Sequence, residues 1–172
     1  MSSARPEAGK ASEPVERGYV PGAIGRIAEL HALFYERHAG FGLYFESKVA
    51  SELCEFLNRY DEKRDGIWLL RHSGLIQGSI VIDGIEAATK GAHLRWFIVS
   101  GASRGKGSGH LLLGTALDFC RQREFASVYL WTFGGLQAAR HLYEKYGFRQ
   151  TQQNHGSQWG REVDEQRFEL RL

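Results

Sequence analysis

Between the apolar runs HLRWFIV and LLLGTAL lies SRGKGSGH, Ser103 to His110, which places alternate glycines and two cations where a strand reads as passing into a helix. In that position Arg104, Gly105, Lys106, Gly107, Ser108 and Gly109 aim successive backbone amides at one point, with the positive end of a helix dipole behind them. Such a point binds an anion, and phosphate is the obvious one. Glycine suits it because a side chain would hold phosphate oxygens off the backbone, and because tight amide cradles use positive φ. Arg104 and Lys106 add charge at the rim. Two phosphate loops do not fit. A Walker loop needs GxxxxGK followed by Ser or Thr, yet Gly107 follows Lys106 and Gly101 stands one residue too close to Gly105. A dinucleotide fingerprint needs GxGxxG, which spacing 105, 107, 109 misses, and no acid ends SVYLWTF to hold a ribose.

The elements that must position this loop are legible in outline. Residues 1–17 are small, polar and charged, with Pro6 and Pro14, and are expected to form a mobile tail ahead of a single domain over 18–172. From Gly22, Ile24, Ile27, Leu30 and Phe34 recur at helical spacing and predict a helix ending near His38; Phe45, Val49, Leu53, Phe56 and Leu57 predict a second. GIWLLRHSG and LIQGSIVIDG form a hairpin around Ser73-Gly74. AHLRWFIVS is a third strand, with Leu94, Trp96 and Ile98 expected on one face and His93, Arg95, Phe97 and Val99 on the other. After the loop come a helix with Leu113, Ala116, Leu117 and Cys120 on its inner stripe, the strand SVYLWTF, and the helix GLQAARHLYEKYGF ending at Gly147. FRQTQQ and QRFELRL close the chain as strands. This order predicts a mixed α/β fold with a parallel pair and crossover helix beside an antiparallel hairpin.

Composition excludes several classes. The 172 residues carry 22 Lys and Arg against 20 Asp and Glu, spread along the chain, so no basic stripe marks a nucleic-acid surface. No apolar run reaches the ~18 residues that span a bilayer, and the N-terminus lacks a secretory signal's apolar centre, so a soluble cytoplasmic protein is expected. Cys54 and Cys120 read as buried thiols without a CxxC or a nearby His cluster.

Arg104, Gly107 and Gly109 fit the pattern Arg/Gln-x-x-Gly-x-Gly/Ala, which resembles the acyl-CoA diphosphate loop of the GNAT superfamily of N-acetyltransferases. Downstream, AARHLYEKYGF resembles that superfamily's Ala-x-x-x-Tyr-x-x-x-Gly-Phe helix at Ala139, Tyr143, Gly147 and Phe148. The segments HLRWFIV, YLWTFGGLQAARHLYE and QWGREVDEQRFEL are most similar to the acetyltransferase halves of bacterial winged-helix regulator fusions. The resemblance implies a mostly antiparallel sheet with a splayed parallel central pair, flanked by about four helices.

It also implies chemistry: direct transfer of the acetyl group of acetyl-CoA to an amine, without metal or covalent intermediate, the acceptor being a small amine or a protein lysine or N-terminus. Phe97, Ile98 and Val99 match the strand that holds the pantetheine arm and acetyl carbonyl, since a splayed edge keeps N–H groups available for an oxyanion. Tyr143 matches the general acid for the departing thiolate. His93 is the first candidate for the base, with Asp83 and Glu86 also open. Glu46 opens the second helix, where the family places part of its acceptor pocket, and either binds a cationic substrate or compensates the helix dipole. Phe41, Tyr44 and Phe45 suggest a partly apolar pocket. Leu136 stands where many relatives have a cofactor-contacting asparagine, a contact left to Thr132 or the nearby glycines. A homodimer is left open. The alternative is a non-catalytic acyl-CoA sensor.

Overall fold

A computed structural model describes residues 15–172. Its elements are β1 (Val15–Arg17), α1 (Ala23–Ala39), α2 (Leu43–Asn58), β2 (Gly66–His72), β3 (Leu75–Asp83), β4 (Ala92–Val99), α3 (Ser108–Gln122), β5 (Ser127–Phe133), α4 (Gln137–Lys145), β6 (Arg149–Gly156) and β7 (Val163–Arg171). Seven strands form one sheet in the order β1-β2-β3-β4-β5-β7-β6, antiparallel throughout except for β4 beside β5. The mobile tail expected over 1–17 lies outside the described residues up to 14. At its other end the boundary is corrected: Val15–Arg17 pairs with Leu70–Trp68 as an edge strand.

Alternation along β2 sets the two layers. Trp68 and Leu70 face one side, with Ile80, Ile82 and Leu94, and are covered by Leu112, Leu113, Ala116 and Leu117 of α3 and by α4. Ile67 and Leu69 face the other, with Val81 and Trp96, under Ile27 of α1 and Val49, Leu53 and Phe56 of α2. Burying each such Leu or Ile is worth about 1.5–3 kcal/mol, so the apolar stripes dock the helices. The β2–β3 turn uses φ +50° at Ser73 and +79° at Gly74, the mirror-image turn whose twist matches a hairpin.

Two irregularities in the sheet make the site. β4 pairs with β5 only through Ala92↔Val128 and His93↔Tyr129; beyond that the strands diverge, and β5 continues on β7 alone. On its other edge, β4 carries a bulge. Ser79 opposes Ile98 and Val81 opposes Arg95, so Ile80 faces both Trp96 and Phe97, and Trp96 is bent to φ +43°. The Ser79 hydroxyl donates to the displaced Trp96 carbonyl at 2.7 Å in a fully buried position. The extra residue reverses the alternation. Leu94 packs with the α3/α4 layer and Trp96 with the α1/α2 layer, while Phe97 and Val99 return to the α3/α4 side. The uniform faces expected for this strand are therefore corrected.

Candidate functional site

The loop before α3 folds as an amide cradle. Gly105 and Gly107 sit at φ +74° and +86°, a region that side-chain-bearing residues enter only under strain. Leu111 N–H to Gly107 O, 3.0 Å, is the first bond of α3, so the amides of Gly107, Gly109 and His110 precede the intrahelical ladder and lie at the positive end of its dipole. Gly109 has a packing reason: a Cβ there would meet Leu142 at 3.4 Å and Phe97 at 3.8 Å. Lys106 is exposed at the rim and Ser108 is buried. Arg104 departs from expectation. Its amide bonds Ser100 O, its Nε donates to Val99 O at 2.9 Å, and its guanidinium lies 4.3 Å over the Phe34 ring. It ties the end of β4 to α1 instead of standing over the loop's amides.

Just before this turn, the Ser100 hydroxyl is buried without a hydrogen-bond partner. Leaving such a group unpaired costs about 1–3 kcal/mol. An orphan hydroxyl, a cradle of amides and a β4 edge with no strand partner past His93 together fit an extended polar ligand ending in a phosphate, as acyl-CoA does.

The divergence of β4 from β5 opens a cleft of about 340 Å³ through the sheet. Tyr143 of α4 reaches it from the α3/α4 side. Its ring lies 6.2 Å from that of Phe97 and 5.9 Å from that of Phe148, and burial, aided by nearby Tyr35, raises its phenol well above the ordinary value. The proton is thus held firmly. Reference values of about 10 for phenol and 8.5 for thiol make full transfer from Tyr143 to a thiolate uphill by ~2 kcal/mol in water. The same apolar wall would oppose a bare thiolate, so a phenol placed here could serve a leaving sulfur as negative charge builds on it.

His93 also lines the cleft, but from the other face. It stacks on Tyr129 at 4.4 Å, and burial, reinforced by Arg95, lowers its pKa to about 3. Because the bulge follows it, His93 shares the α1/α2 side with Arg95, whereas Phe97 and Val99 face the α3/α4 side; the expected common face is corrected. A neutral imidazole can accept a hydrogen bond or relay a proton. Sequence reasoning passed over His31, a second such group on α1. Its Nδ1 lies 2.8 Å from Ile27 O and must donate, leaving Nε2 as acceptor, and burial lowers its pKa to about 4. Only its buried position, not its spacing, marks it.

The remaining candidates separate cleanly. Asp83 is buried against two bonds from Arg59, at 2.6 and 3.1 Å, which outweigh burial and lower its pKa; it does not line the cleft. Glu86 pairs with Lys90 at 2.8 Å on the surface. Glu46 is exposed on the first turn of α2, the dipole-compensating placement, and the carboxylate that reaches the cleft is Glu52 two turns later, bridged by Lys48 and Arg95. Phe41 and Phe45 line the cleft with Phe133 and Trp159; Tyr44 is exposed outside it. Thr132 lines it too, while Leu136 begins α4 without a side-chain cap. Among the described residues no three His, Cys, Asp or Glu side chains gather as metal ligands would, and no helix is long and apolar enough to cross a membrane. Cys120 is buried and Cys54 half-buried, both free.

Comparison with known proteins gives this geometry a context. The profile of the Acetyltransferase (GNAT) family matches residues 27–148. Solved structures share the fold at low identity. An acetyltransferase from Streptococcus agalactiae is 19% identical with a TM-score of 0.73, covering 92% of this chain and 98% of its own. The ribosomal-protein-alanine N-acetyltransferase of Brucella melitensis is 15% identical with a TM-score of 0.72, covering 92% and 99%. A Salmonella typhimurium protein, solved with its cofactor acetyl-CoA, is 18% identical with a TM-score of 0.71, covering 92% and 94%. No curated protein matches the sequence significantly.

Proposed function

The chain belongs to the Acetyltransferase (GNAT) family, and from that premise we propose that it transfers the acetyl group of acetyl-CoA directly to the nitrogen of an amine. The observation that carries this reading is the cleft between the diverging β4 and β5, which has a phenol on one face and neutral imidazoles on the other, with the glycine cradle at the adjoining end of β4.

In this reading the amides at Gly105, Lys106, Gly107, Ser108 and Gly109 hold the diphosphate, and the open β4 edge at Phe97, Ile98 and Val99 aligns the pantetheine arm. A β4 amide near the bulge receives the oxyanion as the amine nitrogen attacks the thioester carbonyl. Preorganised donors of this kind typically account for about 3–4 kcal/mol of barrier lowering. Keeping an alkyl amine neutral at pH 7 costs roughly 4–5 kcal/mol, so His93, His31 or water between them carries the ammonium proton away. The carbon–sulfur bond then breaks, the sulfur takes a proton donated by Tyr143, the proton lost from the attacking nitrogen returns through solvent to restore the phenol, and amide and free thiol result.

The test is Tyr143→Phe. Thiol release with a competent amine should fall about 100-fold, while calorimetry shows acetyl-CoA binding nearly intact. Equal loss of binding and turnover would remove Tyr143 as acid. Tight binding by the unaltered protein with no thiol release across an amine panel would make it a sensor instead.

A further inference from the structure

Resting on the acetyltransferase reading above, we infer that the acceptor is a small amine that also carries a carboxylate on an apolar body, the chemistry of a free α-amino acid with an apolar side chain.

The charge of the acceptor wall carries the inference. Among the described residues, the ionic side chains lining the cleft are Lys48, Glu52 and Arg95. Glu52 is already bridged by both cations. Arg95 reaches on to Asp83 at 3.6 Å, and Asp83 to Arg59 at 2.6 Å. The network runs Arg59, Asp83, Arg95, Glu52, Lys48, and at its far end Arg59 also meets Asp65 and Glu55 outside the cleft; within the lining itself two cations, Lys48 and Arg95, stand against one carboxylate, and the chain ends on Lys48. His31 and His93 are neutral and do not alter that balance.

An ammonium entering this cleft meets no uncommitted carboxylate. A polyamine or aminoglycoside would bring several more positive charges against Lys48 and Arg95, in a partly desolvated site where like charges repel strongly. An amine with an anion attached has the opposite balance. Its carboxylate extends the alternation at Lys48, whose ammonium has three donors and is only half-buried. The amine end is then left to the neutral imidazoles.

The rest of the wall says what the body must be. Phe41 lies 5.1 Å from Phe45 and 5.2 Å from Phe133, and Trp159 lies 5.5 Å from Phe133. These rings offer apolar surface beside the charged end. The cleft's 340 Å³ lies at the low end for ligand sites and must also admit the acetyl thioester, so the acceptor is small.

Thiol release from acetyl-CoA by the whole protein decides the matter, with leucine, methionine and phenylalanine each set against its amide and its decarboxylated amine, and spermidine as the polycation. At least one amino acid should be used with kcat/KM about tenfold or more above its own amide and amine, and above spermidine. Lys48→Gln should collapse that preference towards unity by raising KM for the acid. Amides or plain amines used as well as the acids, or spermidine preferred, would overturn the inference and leave acetyl transfer standing. A preference that survives Lys48→Gln would overturn the role of this wall. No thiol release with any amine would overturn the inference as well, and absence of calorimetric heat with acetyl-CoA would then show that the acetyltransferase reading had failed with it.

Discussion

The two walls of the cleft are built by different means. On the α3/α4 side the working groups are mostly main chain, the cradle of Gly105 to Gly109 and the unpaired edge of β4, joined by the side chains of Ser100 and Tyr143. On the α1/α2 side they are side chains gathered from distant parts of the sequence, Glu52 of α2 pairing with Arg95 of β4 and Trp159 packing on Phe41 and Phe133. Main-chain groups are insensitive to most substitutions and recognise what every reaction of this kind shares, a diphosphate and a carbonyl. Side chains can be exchanged singly, so the second wall is where acceptor choice resides. The bulge at Trp96 joins the two, because it turns Phe97 to one wall and leaves Trp96 in the other.

The comparison can be strained most by acid. His31 stands in the α1 wall with a pKa lowered from 6.5 to about 4, and among the described residues no such buried imidazole lies in the α3 wall. The unfolded chain binds this proton first, so stability is intact above pH 6.5 and falls as pH drops towards 4, by about 3 kcal/mol if His31 stays buried. His93, lowered to about 3, adds to the loss in the same direction. Denaturant titrations at pH 7.5 and 4.5 should show the fall, and His31→Gln should remove His31's share of it, leaving that of His93. An unchanged midpoint for the unaltered protein would mean that the ring is already solvated.

A smaller effect is expected on the other wall. Gly107→Val forces a β-branched residue to φ +86°, a strain of roughly 1–3 kcal/mol. If the loop relaxes to relieve it, acetyl-CoA should bind about tenfold more weakly, with the α1/α2 wall undisturbed. Normal affinity by calorimetry would show that the amides there do not hold the ligand.

The smallest effect probes the joint. Ser79→Ala leaves the buried Trp96 carbonyl unpaired, at a cost of about 1–2 kcal/mol. Turnover should fall more than acetyl-CoA affinity, since the bulge sets the β4 amides, and Ser79→Thr should restore part of it. Equal kinetics for the alanine variant would make the bulge self-supporting.

Local chemistry was readable along the chain and long-range chemistry was not. The cradle announces itself through glycines at 105, 107 and 109, two of them at positive φ, and the hairpin through Ser73-Gly74. The bulge leaves no such mark, because the residue bent to φ +43° is a tryptophan in a run that alternates regularly. Glu52 reads as half of an ordinary i,i+4 pair with Lys48, and its second partner lies 43 residues away on β4. Glu46 stands at the start of the helix where the resemblance puts part of the acceptor pocket, a cue that does not say which turn of that helix faces the cleft. Likewise β1 is three residues long, and its pairing with β2 depends on a neighbour more than fifty positions on.

Amide chemical shifts recorded while acetyl-CoA is titrated into the labelled protein test the account most directly. Saturating changes should concentrate at Gly105, Lys106, Gly107 and Gly109 and along Phe97 to Val99, with those of β6 unmoved. Changes confined to another surface, or none at all, would contradict it.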